Sequence, residues 1–396
     1  MKVAFVTFGC RLNRAESLDL EARYRAAGHE IVDLDMASPA TGSPRPVADN
    51  IPDLILVRGC SVTAKAQRDC EKAIAHIRAR FPTTEIRPIG CLPNAQPLPT
   101  TICQSPTTIY QSPTTSRAYL KIQDGCSGKC TFCIVPHFRG SPVSVHIGDI
   151  TARTKAFIAT GYREIVLTGC NLSLYKSDGH NLASLLNILS EQGAAHARIR
   201  IGSLEPGRVC ENVLDVMEKN PNICRFLHLS LQSGSNRILK RMNRPYDITW
   251  AERFCTAARE RLGPDLTLGA DIITGFPGET DEDFEATRAF LVRHAFSNLH
   301  VFPYSERPGT PAATMNGILP RAVRLFRARN LTALGRAQRT AFAQTFLGRE
   351  VEVCVERGGE HGWTDTYLPC KWKGPAERRS LVRKRIIAIN GDTLLA

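Results

Sequence analysis

The stretch DGCSGKCTFC places Cys126, Cys130 and Cys133 in a C-x3-C-x2-C loop. Three closely spaced thiolates can bind three irons of a cubane cluster and leave the fourth iron without a protein ligand. Such an iron can chelate the amino and carboxylate groups of S-adenosylmethionine, and an electron passed through the cluster then cleaves the sulfonium to a 5'-deoxyadenosyl radical. That chemistry calls for a reducing electron donor of the flavodoxin or ferredoxin type. Zinc is the competing reading, but a structural zinc site takes four protein ligands, commonly as two pairs. A second set of thiols ends apolar runs. VAFVTFGC, LILVRGC, IRPIGC and IVLTGC deliver Cys10, Cys60, Cys91 and Cys170, each behind a glycine. Taken singly, each reads as a buried, inert cysteine.

The elements that must carry these thiols follow from periodicity. Residues 1–95 alternate strand with helix: KVAFVTF, a helical NRAESLDLEARYRAAG, HEIVDLD, DLILVRG, a helical TAKAQRDCEKAIAHIRARF, then TEIRPIG. That alternation predicts a doubly wound, mostly parallel α/β sheet whose ligands gather at the carboxyl ends of the strands, where Cys10, Cys60 and Cys91 stand. Residues 96–117, with a local QSPTT repeat, read as a linker. From 118 to 345, AYLKIQD, EIVLTG, RIRIGSL, FLHLSLQ, TLGADIITGF and NLHVFPYS alternate with amphipathic helices. Six strand-then-helix units predict a partial, TIM-like (β/α)6 barrel with its site at the carboxyl ends of the strands. Those ends carry Gly169, Ser203, Glu205, Gln232 and Gly275, with Asp271 inside its strand. Short alternating runs over 346–396 predict a small β-domain.

KIQDGCSGKCTFCIVPHFRG resembles the radical S-adenosylmethionine loop of the methylthiotransferase family, including Phe132 before the last cysteine and Arg139-Gly140 after it. GCRLN, EIVLTG, SLEP, LQSGSNRILKRMNRPY, DIITGFPGETDEDF and LHVFPYSERPGTPAA resemble further family motifs, in order. The resemblance implies two [4Fe-4S] clusters: a radical cluster on Cys126, Cys130 and Cys133, and an auxiliary one on Cys10, Cys60 and Cys91. It implies insertion of a methylthio group at carbon 2 of an adenosine next to the anticodon of a tRNA, one S-adenosylmethionine giving the methyl group and a second the radical. KVAFVTFGCRLN and LHVFPYSERPGT resemble the enzymes that act on N6-threonylcarbamoyladenosine. Isopentenyladenosine in tRNA, an aspartate of a ribosomal protein, and a non-catalytic iron–sulfur RNA-binding role are the alternatives. Gly169, Glu205 and Gln232 are candidate contacts to S-adenosylmethionine or substrate. Arg139 and Arg244 are candidates for phosphate or carboxylate, and no general base is assigned. Where the family usually has Asn-Thr before the second cysteine, this chain has Arg58-Gly59.

A strand leading into a helix would also set a thiol near backbone N–H groups and favour its thiolate. Of the chain's 14 cysteines, Cys70, Cys103, Cys170, Cys210, Cys224, Cys255, Cys354 and Cys370 are expected to be packing residues. So many thiols without a secretory leader predict a reducing, cytoplasmic setting and metal ligation rather than disulfides. No apolar run is long enough to predict a membrane span. The net charge of +13 favours a polyanionic partner. Six arginines from Arg321 to Arg339, and seven basic residues from Lys371 to Arg385, are expected to form a footprint for the tRNA anticodon stem-loop, with GWTDTY resembling a TRAM RNA-binding domain.

Overall fold

A computed structural model of the chain describes residues 1–34, 51–96, 115–193, 196–209 and 211–396. Contacts divide it into two compact units, Met1–Ser112 with Ile134–Gly140, and Pro113–Cys133 with Ser141–Ala396. Most of the 96–117 segment, together with Cys103 and Cys210, lies outside the described residues. The end of that segment is packed structure: Ser116 is buried and accepts from Arg378 Nε at 3.1 Å, and Arg117 pairs with Glu356 at 3.0 Å.

In the first unit, β1 (Lys2–Thr7), β2 (Glu30–Ile31), β3 (Leu54–Gly59) and β4 (Glu85–Gly90) pair in the order β2-β1-β3-β4, all parallel. Every residue of β3 is buried, as a parallel strand covered on both faces should be. Period-two alternation divides its side chains. Leu54 and Leu56 pack with Val3 against Leu20 and Tyr24 of α1 (Arg11–Ala26). Ile55 and Val57 pack with Ala4 against Ile74 and Ile77 of α2 (Ala64–Arg80). Helices therefore cover both faces, and the expected double winding follows.

In the second unit, Ala118–Lys121, Glu164–Thr168 and Arg198–Arg200 form one parallel sheet, with Glu164–Thr168 in the middle. Ser203–Leu204, Phe226–Gln232, Thr267–Thr274 and Asn298–Pro303 form a second, also parallel and in chain order. Only Ile201 and Gly202 separate the strands Arg198–Arg200 and Ser203–Leu204, and Ile199 makes a parallel bridge to Ile223. Among the described residues no ladder joins the first strand to the last, so the array is open. Helices such as Leu182–Gly193 and Ile248–Leu262 bury apolar faces between the strands.

Beyond the helix Arg321–Gln344, six short strands form one sheet in which Pro369–Lys371 and Thr393–Leu395 are parallel and the other pairs antiparallel. Its core gathers Val351, Val353, Leu368, Trp372 and Leu394 around Ala343 and Phe346. Ion pairs and backbone acceptors weld this sheet to the α/β array. Glu164, fully buried, pairs with Arg198 and Arg200 at 2.7 Å each. The same guanidiniums donate to the carbonyls of Trp363, Thr364 and Asp365. Burial opposes charge on Glu164, but Arg200 and Arg198 outweigh it and hold the carboxyl well below its ordinary range.

Candidate functional site

The first unit brings three of the four Gly-Cys endings together at one edge. Because β1, β3 and β4 are neighbours in register, Cys10, Cys60 and Cys91 leave the sheet side by side. Cys10 caps α1, while α2 is capped by Thr63. The glycines have a steric reason. Gly9 has φ of 97°, and a Cβ on it would stand 2.7 Å from Cys60 Cβ. A Cβ on Gly59 would stand 2.3 Å from a methyl carbon of Leu92. The Cys60 loop thus closes over Gly9 and the Cys91 loop over Gly59. Asn13 of GCRLN stitches two of the loops, donating to Phe8 O at 2.8 Å and Gly59 O at 2.9 Å. Sequence reasoning quoted this motif without assigning Asn13 a task.

Arg139 lies in the short helix Val135–Arg139 of the same unit. Its Nε donates to Cys91 Sγ at 3.1 Å, and its other nitrogens reach Glu16 Oε1 at 2.8 Å and Asn13 Oδ1 at 3.0 Å. Arg58 takes the second oxygen of Glu16 at 2.7 Å. The family-atypical arginine is therefore a partner of Glu16, a residue the sequence did not single out. In the metal-free chain burial works against the thiolate form at two of the three cysteines. Burial pushes the Cys60 thiol up to about 11, and Cys10 and Cys91 add to the rise. Burial also raises Cys91, against the pull of Arg139. No helix N-terminus adjoins either buried thiol: Thr63 intervenes after Cys60, and no helix begins within the described residues that follow Cys91. Cys70 is buried beside them, its Sγ 3.4 Å from the backbone nitrogen of Cys60.

In the second unit the strand Ala118–Lys121 leads into the Cys126–Cys133 loop. Gln123 braces its entrance, donating to Gly125 O at 2.7 Å and accepting from Asn171 N at 2.8 Å. The segment Arg241–Arg244 holds the far side: Thr131 Oγ1 donates to Arg241 O at 3.0 Å, and Asn243 Nδ2 to Lys129 O at 2.8 Å. Phe132 sits edge-on to Phe276, ring centres 6.4 Å apart, against a core of Ile238, Met242 and Tyr304. Gly128 N lies 3.2 Å from Cys126 Sγ, and Arg244 Nη1 lies 3.0 Å from Cys130 Sγ. Burial raises the Cys130 thiol, with Arg244 opposing. Three thiols on one loop, met by backbone and guanidinium donors, fit a thiolate-held cluster in which hydrogen bonds to sulfur tune the iron.

Glu205, 5% exposed, is ringed by Asn171 Nδ2 at 2.6 Å, Arg208 Nε at 2.9 Å and Arg244 Nη1 at 3.2 Å. Gln232 ends its strand at φ of 66°, beside a register shift between Leu229 and Gln232. A non-glycine residue held in that region is strained backbone of the kind that clusters at functional sites. A Cβ on Gly169 would stand 2.8 Å from Gln123 O, so Gly169 permits the close approach of two strand ends. Cys170 is half-buried, with Asp124 Oδ1 3.2 Å from its sulfur, while Cys224, Cys255, Cys354 and Cys370 are buried as expected of packing residues.

The basic segments need correction. Arg324 pairs with Glu306 at 2.8 Å, Arg327 with Glu279 at 2.5 Å, and Arg339 with Asp392 at 2.5 Å. Half of that arginine series is internal. Arg378 and Arg379 likewise bond Ser116 and Tyr162. GWTDTY spends the carbonyls of Trp363, Thr364, Asp365, Thr366 and Tyr367 on Arg198, Arg200, Thr267 and Arg339. The basic groups left exposed are Arg321, Arg329 and Arg336 of the helix, together with residues such as Lys371, Lys373, Arg383 and Arg385.

Comparison with known proteins agrees with this geometry. Residues 120–291 match the Radical SAM superfamily, and residues 2–109 match the uncharacterized protein family UPF0004. The chain is 32% identical to the threonylcarbamoyladenosine tRNA methylthiotransferase MtaB of Bacillus subtilis, over 94% of this chain and 90% of that protein. It belongs to the radical SAM tRNA methylthiotransferase family. A tRNA-2-methylthio-N(6)-dimethylallyladenosine synthase of Kineococcus radiotolerans is 33% identical over 89% of this chain and 76% of that protein. Among solved structures, the radical S-adenosylmethionine methyltransferase TsrM of Kitasatospora setae shares the fold, at a TM-score of 0.57 and 14% identity over 79% of this chain and 77% of that one. This methylthiotransferase is thus a tRNA-modifying enzyme, which sets aside the non-catalytic reading. No helix among the described residues is long and apolar enough to cross a membrane.

Proposed function

We propose that this enzyme inserts a methylthio group at carbon 2 of N6-threonylcarbamoyladenosine beside the tRNA anticodon, in the cytoplasm, with a flavodoxin- or ferredoxin-type electron donor. One observation carries the choice of substrate: the MtaB relative is matched over 90% of its length, the dimethylallyladenosine relative over only 76%. Cys126, Cys130 and Cys133 would hold the radical [4Fe-4S] cluster, and Cys10, Cys60 and Cys91 the auxiliary one. Bound clusters and S-adenosylmethionine supply a one-electron route to an unactivated aromatic C–H bond. The chain's own groups bind and orient. Arg244 donates to Cys130 and fixes Glu205, and Arg139 donates to Cys91. Gly169, Glu205 and Gln232 stand as contacts for S-adenosylmethionine or the target base. In the domain division that goes with this reading, residues 1–95 carry the auxiliary cluster, 118–345 the radical chemistry and 346–396 contacts to RNA.

Mass spectrometry of tRNA nucleosides from a deletion strain tests the substrate. The expected result is loss of the 2-methylthio form of threonylcarbamoyladenosine, with the 2-methylthio form of isopentenyladenosine unchanged. The reverse pattern overturns the assignment.

A further inference from the structure

Three neighbouring strands of the second unit each contribute one metal-binding side chain to a single point. His228 stands on Phe226–Gln232, Asp271 on Thr267–Thr274 and His300 on Asn298–Pro303, with Asp271 and His300 directly opposite in the parallel ladder. One ligand atom from each lies within 4.8 Å of the other two. Asp271 Oδ1 is 3.1 Å from His228 Nε2 and 3.2 Å from His300 Nδ1.

The His228 ring is the telling member. It is 3% exposed, yet neither of its nitrogens makes a hydrogen bond among the described residues. Its Nε2 faces Asp271 Oδ1 across 3.1 Å. A buried polar group left unsatisfied is costly. The ring is nevertheless firmly placed: Phe226 stacks on it at 20° between planes, and Gly269 makes room for it, since a Cβ there would stand 2.6 Å from His228 Nδ1. A cation resolves the discrepancy. Zinc bonds of about 2.0–2.1 Å to imidazole nitrogen and carboxylate oxygen, in tetrahedral geometry, put ligand atoms roughly 3.3 Å apart. The two spacings to Asp271 are close to that value.

We infer that His228, Asp271 and His300 form a binding site for a divalent cation of the zinc class, separate from the six thiols assigned to iron–sulfur clusters. Two imidazoles and one carboxylate suit zinc or a first-row neighbour better than magnesium or calcium, which take oxygen ligands. Three protein ligands leave a fourth position for water or an oxygen of a bound molecule. His300, half exposed, gives the site access to solvent.

The test uses the full chain with both clusters reconstituted. The protein is dialysed against micromolar free zinc with a weak chelator, and zinc and iron are counted by plasma mass spectrometry. About one zinc per chain is expected, with nitrogen and oxygen neighbours and no sulfur in its X-ray absorption spectrum. His300→Ala, at a half-exposed position, should weaken zinc binding by at least about 100-fold and leave iron content and cluster absorption unchanged. Asp271→Ala should do the same. The proposal is overturned if the parent chain retains no zinc, if both variants retain as much as the parent, or if the zinc has sulfur neighbours.

Discussion

At Cys60 burial opposes the thiolate that the proposed auxiliary cluster requires, and pH reports the balance. In the folded chain without iron, burial holds the Cys60 thiol at about 11, above its unfolded value. A raised pKa favours the protonated form in the folded state. That contribution is therefore whole below about pH 8.5, the ordinary thiol value, and is lost as pH climbs toward the folded value. The cluster-free chain should lose on the order of 3 kcal/mol across that window, and Cys60→Ser should flatten the dependence; chemical denaturation at graded pH checks both. On the proposed assignment of Cys60 as a ligand, iron binding expels the same proton, so assembly of the auxiliary cluster should proceed faster at pH 9 than at pH 7. Cys10→Ala carries a separate expectation, loss of about four of about eight irons with the radical cluster intact, read by iron and sulfide analysis.

Elements matter here through what they lock together. Glu164, in the middle strand of its sheet, satisfies two buried guanidiniums that also grip the carbonyls of Trp363, Thr364 and Asp365. Glu164→Gln leaves buried Arg200 without its carboxylate and Arg198 with only the more distant, half-exposed Glu352 at 3.6 Å. The expected cost is about 3–5 kcal/mol in denaturant unfolding, far more than any exposed ion pair contributes. In the first unit, Gly9→Ala meets both the positive φ and the Cys60 Cβ 2.7 Å away. It should cost about 1–3 kcal/mol and release auxiliary-site iron ahead of the rest, as followed by thermal unfolding with iron counting.

For the whole molecule, net charge and usable charge differ. The chain carries +13, but Arg198, Arg200, Arg324, Arg327 and Arg339 are consumed by internal acids and carbonyls. Replacing Lys371, Lys373, Arg383 and Arg385 together by alanine should weaken tRNA binding and lower the salt slope by about 2–4, at roughly 0.7–0.9 per lost phosphate contact. Arg327→Ala should destabilise the fold and leave that slope unchanged.

Much of this was legible in the chain. The spacing of Cys126, Cys130 and Cys133 is local, so it needs no tertiary knowledge. The strands Leu54–Gly59, Glu164–Thr168 and Phe226–Gln232 stood out because buried parallel strands read as short apolar runs between glycines and helices. Pairing partners across hundreds of residues were not legible. Nothing in the sequence tells that Arg198 ends on Trp363, that Arg139 ends on Cys91, or that His228, Asp271 and His300 converge. Nor does it tell that Cys60 is buried. Sequence by itself determined the kinds of ligand, their local spacing and the period of each element, because these are properties of neighbouring residues. Only the tertiary structure decided which charges are spent inside and which donors meet, since desolvation and hydrogen-bond geometry depend on atoms that folding brings near.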